Sequence, residues 1–164
     1  MNVNSLSQLW GKSKVTISNY LKYLETSMLA KALSNFRPSL LSTSRKLKKY
    51  YPTTPSLIFA LSRQSFEAET GAVLETYVVN ALEAEHYFRH GRKEINILLK
   101  RDGLLPVEVR ETVDERDIAN FSKLIEYVKA KRGIIVSLNQ EMEKENVKVV
   151  PAYMIEFLLT PRTP

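Results

Sequence analysis

The sequence predicts a mixed α/β protein, in which an N-terminal helix-turn-helix unit precedes a larger unit built on a mixed sheet. Apolar residues recur at helical spacing in residues 4–28, which indicates two amphipathic helices. Short β-rich runs flank a turn signal at residues 100–103, which indicates a hairpin. The apolar run at residues 133–138 follows a helical stretch across a glycine, which is typical of a buried parallel strand.

Composition excludes several kinds of protein. The 164 residues include no cysteine, which excludes disulfides, thiol catalysis and cysteine-ligated zinc. No apolar run approaches the roughly 18 residues that cross a bilayer. The polar start also lacks the basic and then apolar stretch of a signal peptide. We therefore expect a cytoplasmic protein without a membrane partner.

Positive charge is concentrated in the first third of the chain. The net charge of +6 divides into +9 for residues 1–65, where Glu25 is the only acidic residue, and −3 for residues 66–164. Such a basic segment is typical of a module that binds a polyanion, although a basic face can also serve solubility alone. We interpret it as a predicted contact with nucleic acid.

Residues 4–28 predict two helices around a tight turn at residue 11. The apolar positions of the first helix are Leu6, Leu9 and Trp10. Ser13 or Thr16 can cap the second helix. The apolar stripe of the second helix consists of Ile17, Tyr20, Leu21, Leu24 and Met28. The opposite face is polar and basic, and it suits a DNA major groove. It carries Lys14, Thr16, Ser18, Asn19, Lys22 and Tyr23.

This stretch, from Leu6 to Glu25, closely resembles winged-helix domains. The resemblance implies that residues 29–36 and 45–51 form the two strands of the wing, with residues 37–44 at its tip. It implies double-stranded DNA as the partner, and phosphate contacts from Arg45, Lys46, Lys48 and Lys49. Residues 1–55 are thus predicted to be a winged-helix DNA-binding domain, the alternative being a winged helix that contacts only proteins.

A winged helix normally has one more helix before this pair, and only three residues precede Asn4. The apolar side chains of the first helix would then lack part of their partner surface. The sequence therefore predicts either that the chain is the tail of a longer protein or that a second subunit covers this face in a homodimer.

A junction rich in Pro, Thr and polar residues, at residues 52–70, contains the predicted boundary between the domains 1–55 and 56–164. Residues 56–61 within it are a candidate short apolar helix. The next helix is predicted at residues 71–83, with Leu74, Val78 and Leu82 facing inward. Glu75 lies at the edge of this apolar stripe, where it is either an exposed helix glutamate or part of a site.

Residues 85–90 predict a strand that leads into a hairpin of residues 93–99 and 104–111. Side chains alternate between the two faces of a strand, so Asn96 lies on the face opposite Ile95 and Ile97. Glu108 and Arg110 likewise face away from their valine neighbours. The hairpin is therefore predicted to bring Asn96, Glu108 and Arg110 to one surface.

This hairpin resembles the metal site of the PD-(D/E)xK nuclease superfamily, in which an acidic strand residue and a turn precede Pro-Val-Glu-x-Lys. Glu108 matches the family pattern, and Glu75 stands where many members have a helix glutamate. Asn96 replaces the family's aspartate and Arg110 its lysine. The resemblance implies a Mg²⁺ site at Glu108 and Asn96, and the two replacements predict weak metal affinity and lost catalysis.

The remainder of the chain is predicted to complete a parallel sheet. A helix with the stripe Phe121, Leu124, Ile125 and Val128 extends to Arg132. The strand at residues 133–138 then closes a right-handed βαβ crossover. Residues 141–146 form a charged connection, and residues 147–150 an edge strand.

The succession of a winged helix and a nuclease-like core resembles the C-terminal region of archaeal AAA-type ATPases over nearly the whole chain. No phosphate-binding loop of the GxxxxGK[ST] type occurs in these residues, so the ATPase domain is missing. The resemblance implies a DNA-binding accessory region with a degenerate, inactive nuclease-like domain. It also allows an ATPase partner.

Two alternatives remain open. In the first, the chain is a Mg²⁺-dependent endonuclease with a rearranged site. Glu94 or Glu111 then replaces the missing carboxylate, and either Lys93 or no residue replaces the missing lysine. In the second, it is a protein-interaction or dimerisation module. No cofactor is certain, since Mg²⁺ is required only if the site is active.

Overall fold

The computed structural model describes residues 3–37, 48–61 and 66–158, and these ranges have a mixed α/β architecture. Their helices are α1 (Val3–Trp10), α2 (Lys14–Thr26), α3 (Ser56–Leu61), α4 (Phe66–Ala81), α5 (Glu115–Tyr127) and a 3₁₀ helix (Ala152–Leu158). No helix in the described ranges combines the length and apolar character needed to cross a membrane.

The strands in the described ranges form two mixed sheets. The first sheet has the order β2-β1-β3-β4 and consists of β1 (Ala30–Asn35), β2 (Lys48–Pro52), β3 (His86–His90) and β4 (Lys93–Ile95). The second sheet has the order β5-β6-β7-β9-β8. It consists of β5 (Ile97–Arg101), β6 (Gly103–Val109), β7 (Gly133–Ser137), β8 (Met142–Lys144) and β9 (Val147–Pro151).

The two N-terminal helices form as predicted, but they bury less apolar surface than expected. Ser13 caps α2 by accepting a hydrogen bond from the Thr16 amide. Leu6, Ile17 and Leu21 are buried together. The rest of the predicted stripes is exposed, namely Leu9, Trp10, Tyr20, Leu24 and Met28. The α1 helix has only eight residues, and it covers a single line of side chains on α2.

The predicted wing strands pair with each other, and the first of them also pairs with a strand from beyond the predicted domain boundary. β1 and β2 are antiparallel, from Ser34 opposite Lys48 to Ala30 opposite Pro52. β1 is also parallel to β3, with Ser34 opposite His86. The first sheet therefore contains strands from both predicted domains. Arg45, Lys46 and most of the predicted wing tip lie outside the described residues.

The strand predicted at residues 93–99 is interrupted, which corrects the expectation of one continuous strand. β4 ends at Ile95 and pairs with β3 in the first sheet, whereas β5 begins at Ile97 and pairs with β6 in the second. Ile95 and Ile97 are both fully buried, in different core clusters. Asn96 is thus the link between the two sheets.

The apolar face of α4 packs on one side of the second sheet. The predicted inward residues Leu74, Val78 and Leu82 are buried there, together with Val79. They share a cluster with sheet residues that include Val107, Val109, Val136 and Val150. The helix begins five residues before the predicted start at residue 71.

The other side of the second sheet is covered by α5, which connects the adjacent parallel strands β6 and β7 as a crossover. Phe121 and Ile125 pack there, and a Cβ on Gly133 would lie 2.8 and 2.7 Å from their side-chain atoms. The helix ends at Tyr127 and not at Arg132 as expected, since Lys129 adopts φ 57° and ends the helical backbone.

The strand at residues 147–150 was expected at the sheet edge, and this expectation is wrong. β9 lies between β7 and β8, parallel to the former and antiparallel to the latter. The segment predicted as a charged connection contains β8, whose three residues are all exposed. A charged edge strand of this kind discourages pairing with further chains.

Candidate functional site

Asn96 lies at the centre of a polar cluster between α4 and the second sheet. Its side-chain Nδ2 donates to Glu75 Oε1 at 2.9 Å, and its Oδ1 accepts from the Val109 amide at 3.1 Å. Its backbone amide donates to Glu108 Oε1 at 3.3 Å. Three of the predicted site residues, Glu75, Asn96 and Glu108, are therefore in direct contact.

Glu108 is the most buried member of the cluster, with 6% of its surface exposed. Burial raises the pKa of its carboxyl from 4.5 to about 7. Arg110, the Asn96 amide and Lys49 oppose this rise in pKa, and Glu75 adds to it. A carboxyl with this pKa is about half protonated at neutral pH.

Two cations neutralise the carboxylates of the cluster. Arg110 Nη2 lies 3.4 Å from Glu108 Oε2, and its Nε lies 4.0 Å from Asp117 Oδ1. Lys49 Nζ lies 3.8 Å from Glu75 Oε1 and also pairs with Glu94. All four predicted family positions are thus brought together, and Arg110 forms an ion pair with the residue that matches the family motif.

Lys49 and Tyr51 belong to this cluster although the sequence does not identify them as part of it. They are two residues apart on β2 and therefore share one face of that strand. Tyr51 donates its hydroxyl hydrogen to Glu75 Oε1 at 2.7 Å. Burial, followed by the charge of Glu75, raises the pKa of Tyr51. The alternation on β2 is visible in the sequence, but its proximity to α4 is not.

The residues of the cluster do not fit a Mg²⁺ ion. Mg²⁺ requires an octahedron of oxygen ligands, and the carbonyl oxygen of Asn96 already accepts from the Val109 amide. Glu75 and Glu108 each have a cationic partner. No group of three Asp, Glu, His or Cys side chains in the described ranges is arranged to hold a metal ion.

Of the residues considered for a rearranged site, Glu94 and Lys93 have other partners, and Glu111 lies beyond the end of β6. Glu94 pairs with Lys49 and with Arg89 Nε at 3.5 Å. Lys93 Nζ lies 3.5 Å from the centre of the Tyr127 ring. Glu111 lies two residues beyond the end of β6 at Val109.

The predicted nucleic-acid-binding residues of α2 lie mainly on its exposed side. The exposed ones are Lys14, Ser18, Asn19, Lys22 and Tyr23. Thr16 is half-buried, and its hydroxyl lies 2.9 Å from that of Ser13. On β2, Lys48 forms an ion pair with Glu25 at 3.3 Å, and Lys49 belongs to the carboxylate cluster. The remaining two, Arg45 and Lys46, lie outside the described residues.

The chain was also compared with models of protein families, with curated proteins and with solved structures. None of these comparisons finds a match.

Proposed function

We propose that this protein binds double-stranded DNA through the exposed face of α2, in the manner of a winged helix. The observation that carries this proposal is the exposed face itself, on which Lys14, Ser18, Asn19 and Lys22 lie without a packing partner among the buried clusters. A helix that is anchored by the buried Ile17 and Leu21 and presents polar and basic side chains to solvent suits insertion into a major groove.

The N-terminus of α2 supports a contact with a phosphate. Lys14 is the first residue of the helix, Lys12 precedes it, and the first turn contains no acidic residue. Positive side chains at this end oppose the helix dipole, at a cost of about 0.3–1 kcal/mol each. A phosphate bound at the helix N-terminus would offset this cost, because both the dipole and the lysines attract it.

We further propose that the C-terminal part is a degenerate nuclease-like domain that holds DNA without cleaving it. Arg110 and Lys49 are the internal countercharges of Glu108 and Glu75. A divalent cation would have to displace them before it could organise a water molecule for attack. In this account the chain is an accessory region of an ATPase-like protein.

A second candidate function is an interaction through the apolar side of α1, with a second copy or with an ATPase. The exposed fractions of Leu9 and Trp10 are 69% and 55%, which favours this candidate. It is compatible with DNA binding. Sedimentation at several concentrations tests the homodimer: a mass that rises with concentration supports it, and a monomer throughout contradicts it.

The proposal of DNA binding by α2 is tested with a labelled duplex and fluorescence anisotropy. The double variant Lys14→Gln, Lys22→Gln removes two cations from the exposed face. Each lost phosphate contact should reduce the slope of log affinity against log salt by about 0.9, and the affinity at 0.1 M salt by about 8-fold. A double variant with wild-type affinity and slope would contradict the proposal.

The matched control is Arg116→Gln, Lys144→Gln, which removes the same charge from α5 and β8 instead of α2. Both residues are exposed, and Lys144 lies beside Glu115 at the start of α5. The control should bind within about 2-fold of wild type, since it retains every proposed phosphate contact.

A further inference from the structure

A second concentration of positive charge lies in the C-terminal part of the chain, whose net charge is −3. Residues 89–93, around the turn of the β3–β4 hairpin, and residues 127–132, at the end of α5, contain no acidic residue. They hold six of the 14 Lys and Arg of residues 66–164, and one histidine. We call these two segments the basic tip: Arg89, His90, Arg92, Lys93, Lys129, Lys131 and Arg132.

Tyr127 joins the two segments of the basic tip. Its hydroxyl lies 2.6 Å from His90 Nδ1, and its ring stacks on that of His90 at an interplanar angle of 18°. Lys93 Nζ lies over the same ring. Lys131 follows Tyr127 by four residues, so their Cα atoms are at most about 14 Å apart. The two segments of the basic tip therefore meet at Tyr127, through its contacts with His90 and Lys93.

Most of these cations are free of acidic partners. Arg92, Lys129, Lys131 and Arg132 are exposed, and none of them forms an ion pair within the described ranges. Among the cations of the basic tip, only Arg89 has an acidic partner in the described ranges, and this partner is Glu94. The last turn of α5 itself contains no basic residue.

The basic tip lies at the same end of the first sheet as the start of the predicted wing. Asn35, at the end of β1, donates through Nδ2 to the Arg89 carbonyl at 3.0 Å and accepts from the Arg89 amide at 2.8 Å. The exposed Arg37 follows Asn35 by two residues. Neighbouring strands are only about 4.8 Å apart, so a ligand at the base of the wing would also reach the hairpin.

We propose that the basic tip is a second contact surface for the backbone of double-stranded DNA, beside the wing. This inference rests on the proposed function. A duplex carries one phosphate charge per about 1.7 Å of its axis, both strands counted, which gives the cations of the basic tip several phosphates within reach. Lysine and arginine contacts to phosphate position the duplex and carry no sequence information.

The test uses the full chain, a labelled duplex and salt concentrations from about 50 to 200 mM. The tip variant Arg92→Gln, Lys131→Gln is compared with wild type, with Lys14→Gln, Lys22→Gln, and with the control Arg116→Gln, Lys144→Gln. The start of α5 is about 17 Å from Tyr127 along the helix axis. The tip variant should lose about 60-fold in affinity at 0.1 M salt, and its salt slope should be smaller by about 1.8.

The outcomes separate this inference from the proposed function. If the tip variant binds like the control while Lys14→Gln, Lys22→Gln binds more weakly, the proposal that the basic tip contacts DNA is overturned. The proposal of DNA binding by α2 then stays intact. If the tip variant has a lower affinity while the affinity of Lys14→Gln, Lys22→Gln is unchanged, the proposed contact of the basic tip is supported. The proposal of DNA binding by α2 is then overturned. A wild-type chain that binds no duplex overturns both. If the double tip variant melts below wild type, Arg92→Gln alone should still lose about 8-fold.

Discussion

Replacement of Glu108 by glutamine should change how the stability of the protein depends on pH. Glu108 is buried, and its pKa of about 7 is well above the value of 4.5 for a free side chain. Burial is the largest cause, because it removes water from the charged form. Glutamine has nearly the same shape and keeps an oxygen that can accept from the Asn96 amide.

The direction of the effect follows from proton binding. Between pH 4.5 and 7 the unfolded carboxyl is ionised while the folded carboxyl retains its proton, so the folded state binds more protons and the free energy of unfolding falls as pH rises. The stabilising contribution is complete below pH 4.5 and is lost above pH 7. A rise in pKa of this size corresponds to about 3 kcal/mol.

Urea denaturation between pH 4.5 and 8.5 measures this effect. Wild type should lose about 3 kcal/mol more stability over this range than Glu108→Gln, and the variant should be the more stable protein at pH 8.5. Glu141→Gln is the control, since Glu141 is exposed, and its curve should be parallel to that of wild type. Parallel curves for wild type and Glu108→Gln would refute a raised pKa.

Three further predictions concern the cluster and the fold. Calorimetry should detect Mg²⁺ binding to Asn96→Asp but not to wild type. Mg²⁺ binding to wild type would contradict the conclusion that the residues of the cluster do not fit this ion. Asn35→Ala leaves two backbone groups of Arg89 unpaired. The free energy of unfolding, measured by urea denaturation, should therefore fall by about 2–4 kcal/mol. An unchanged free energy would show that the Asn35 side chain does not stabilise the fold through these bonds. Gly133→Ala should lower the free energy of unfolding by about 1–3 kcal/mol, because the new methyl group would overlap Ile125 and Phe121. A variant as stable as wild type would contradict tight packing at Gly133.

The strongly periodic segments of the chain could be predicted from the sequence. The stripe of α4 is buried at Leu74, Val78 and Leu82, and the hairpin of β5 and β6 turns at Asp102, within the turn predicted at residues 100–103. These features depend on residues that are close in sequence. The positions of Asn96, Glu108 and Arg110 near one another could likewise be predicted, because adjacent strands determine them.

The features that the sequence does not reveal depend on long-range pairing or on single backbone angles. Ile95, Asn96 and Ile97 have the alternation of one strand, although the two isoleucines belong to different cores. Lys49 reaches the carboxylates because β1 pairs with β3 across the predicted boundary. The end of α5 depends on the left-handed backbone of Lys129, a residue without the usual signal for it.

DNA binding is best measured as the affinity of the wild-type chain for a duplex over a series of salt concentrations. DNA binding by the exposed face of α2 and by the basic tip predicts a straight line of log affinity against log salt, with a slope of about −3.6 if Lys14, Lys22, Arg92 and Lys131 each contact a phosphate. An affinity that is the same at 50 and 200 mM salt, or no duplex binding at all, would contradict it.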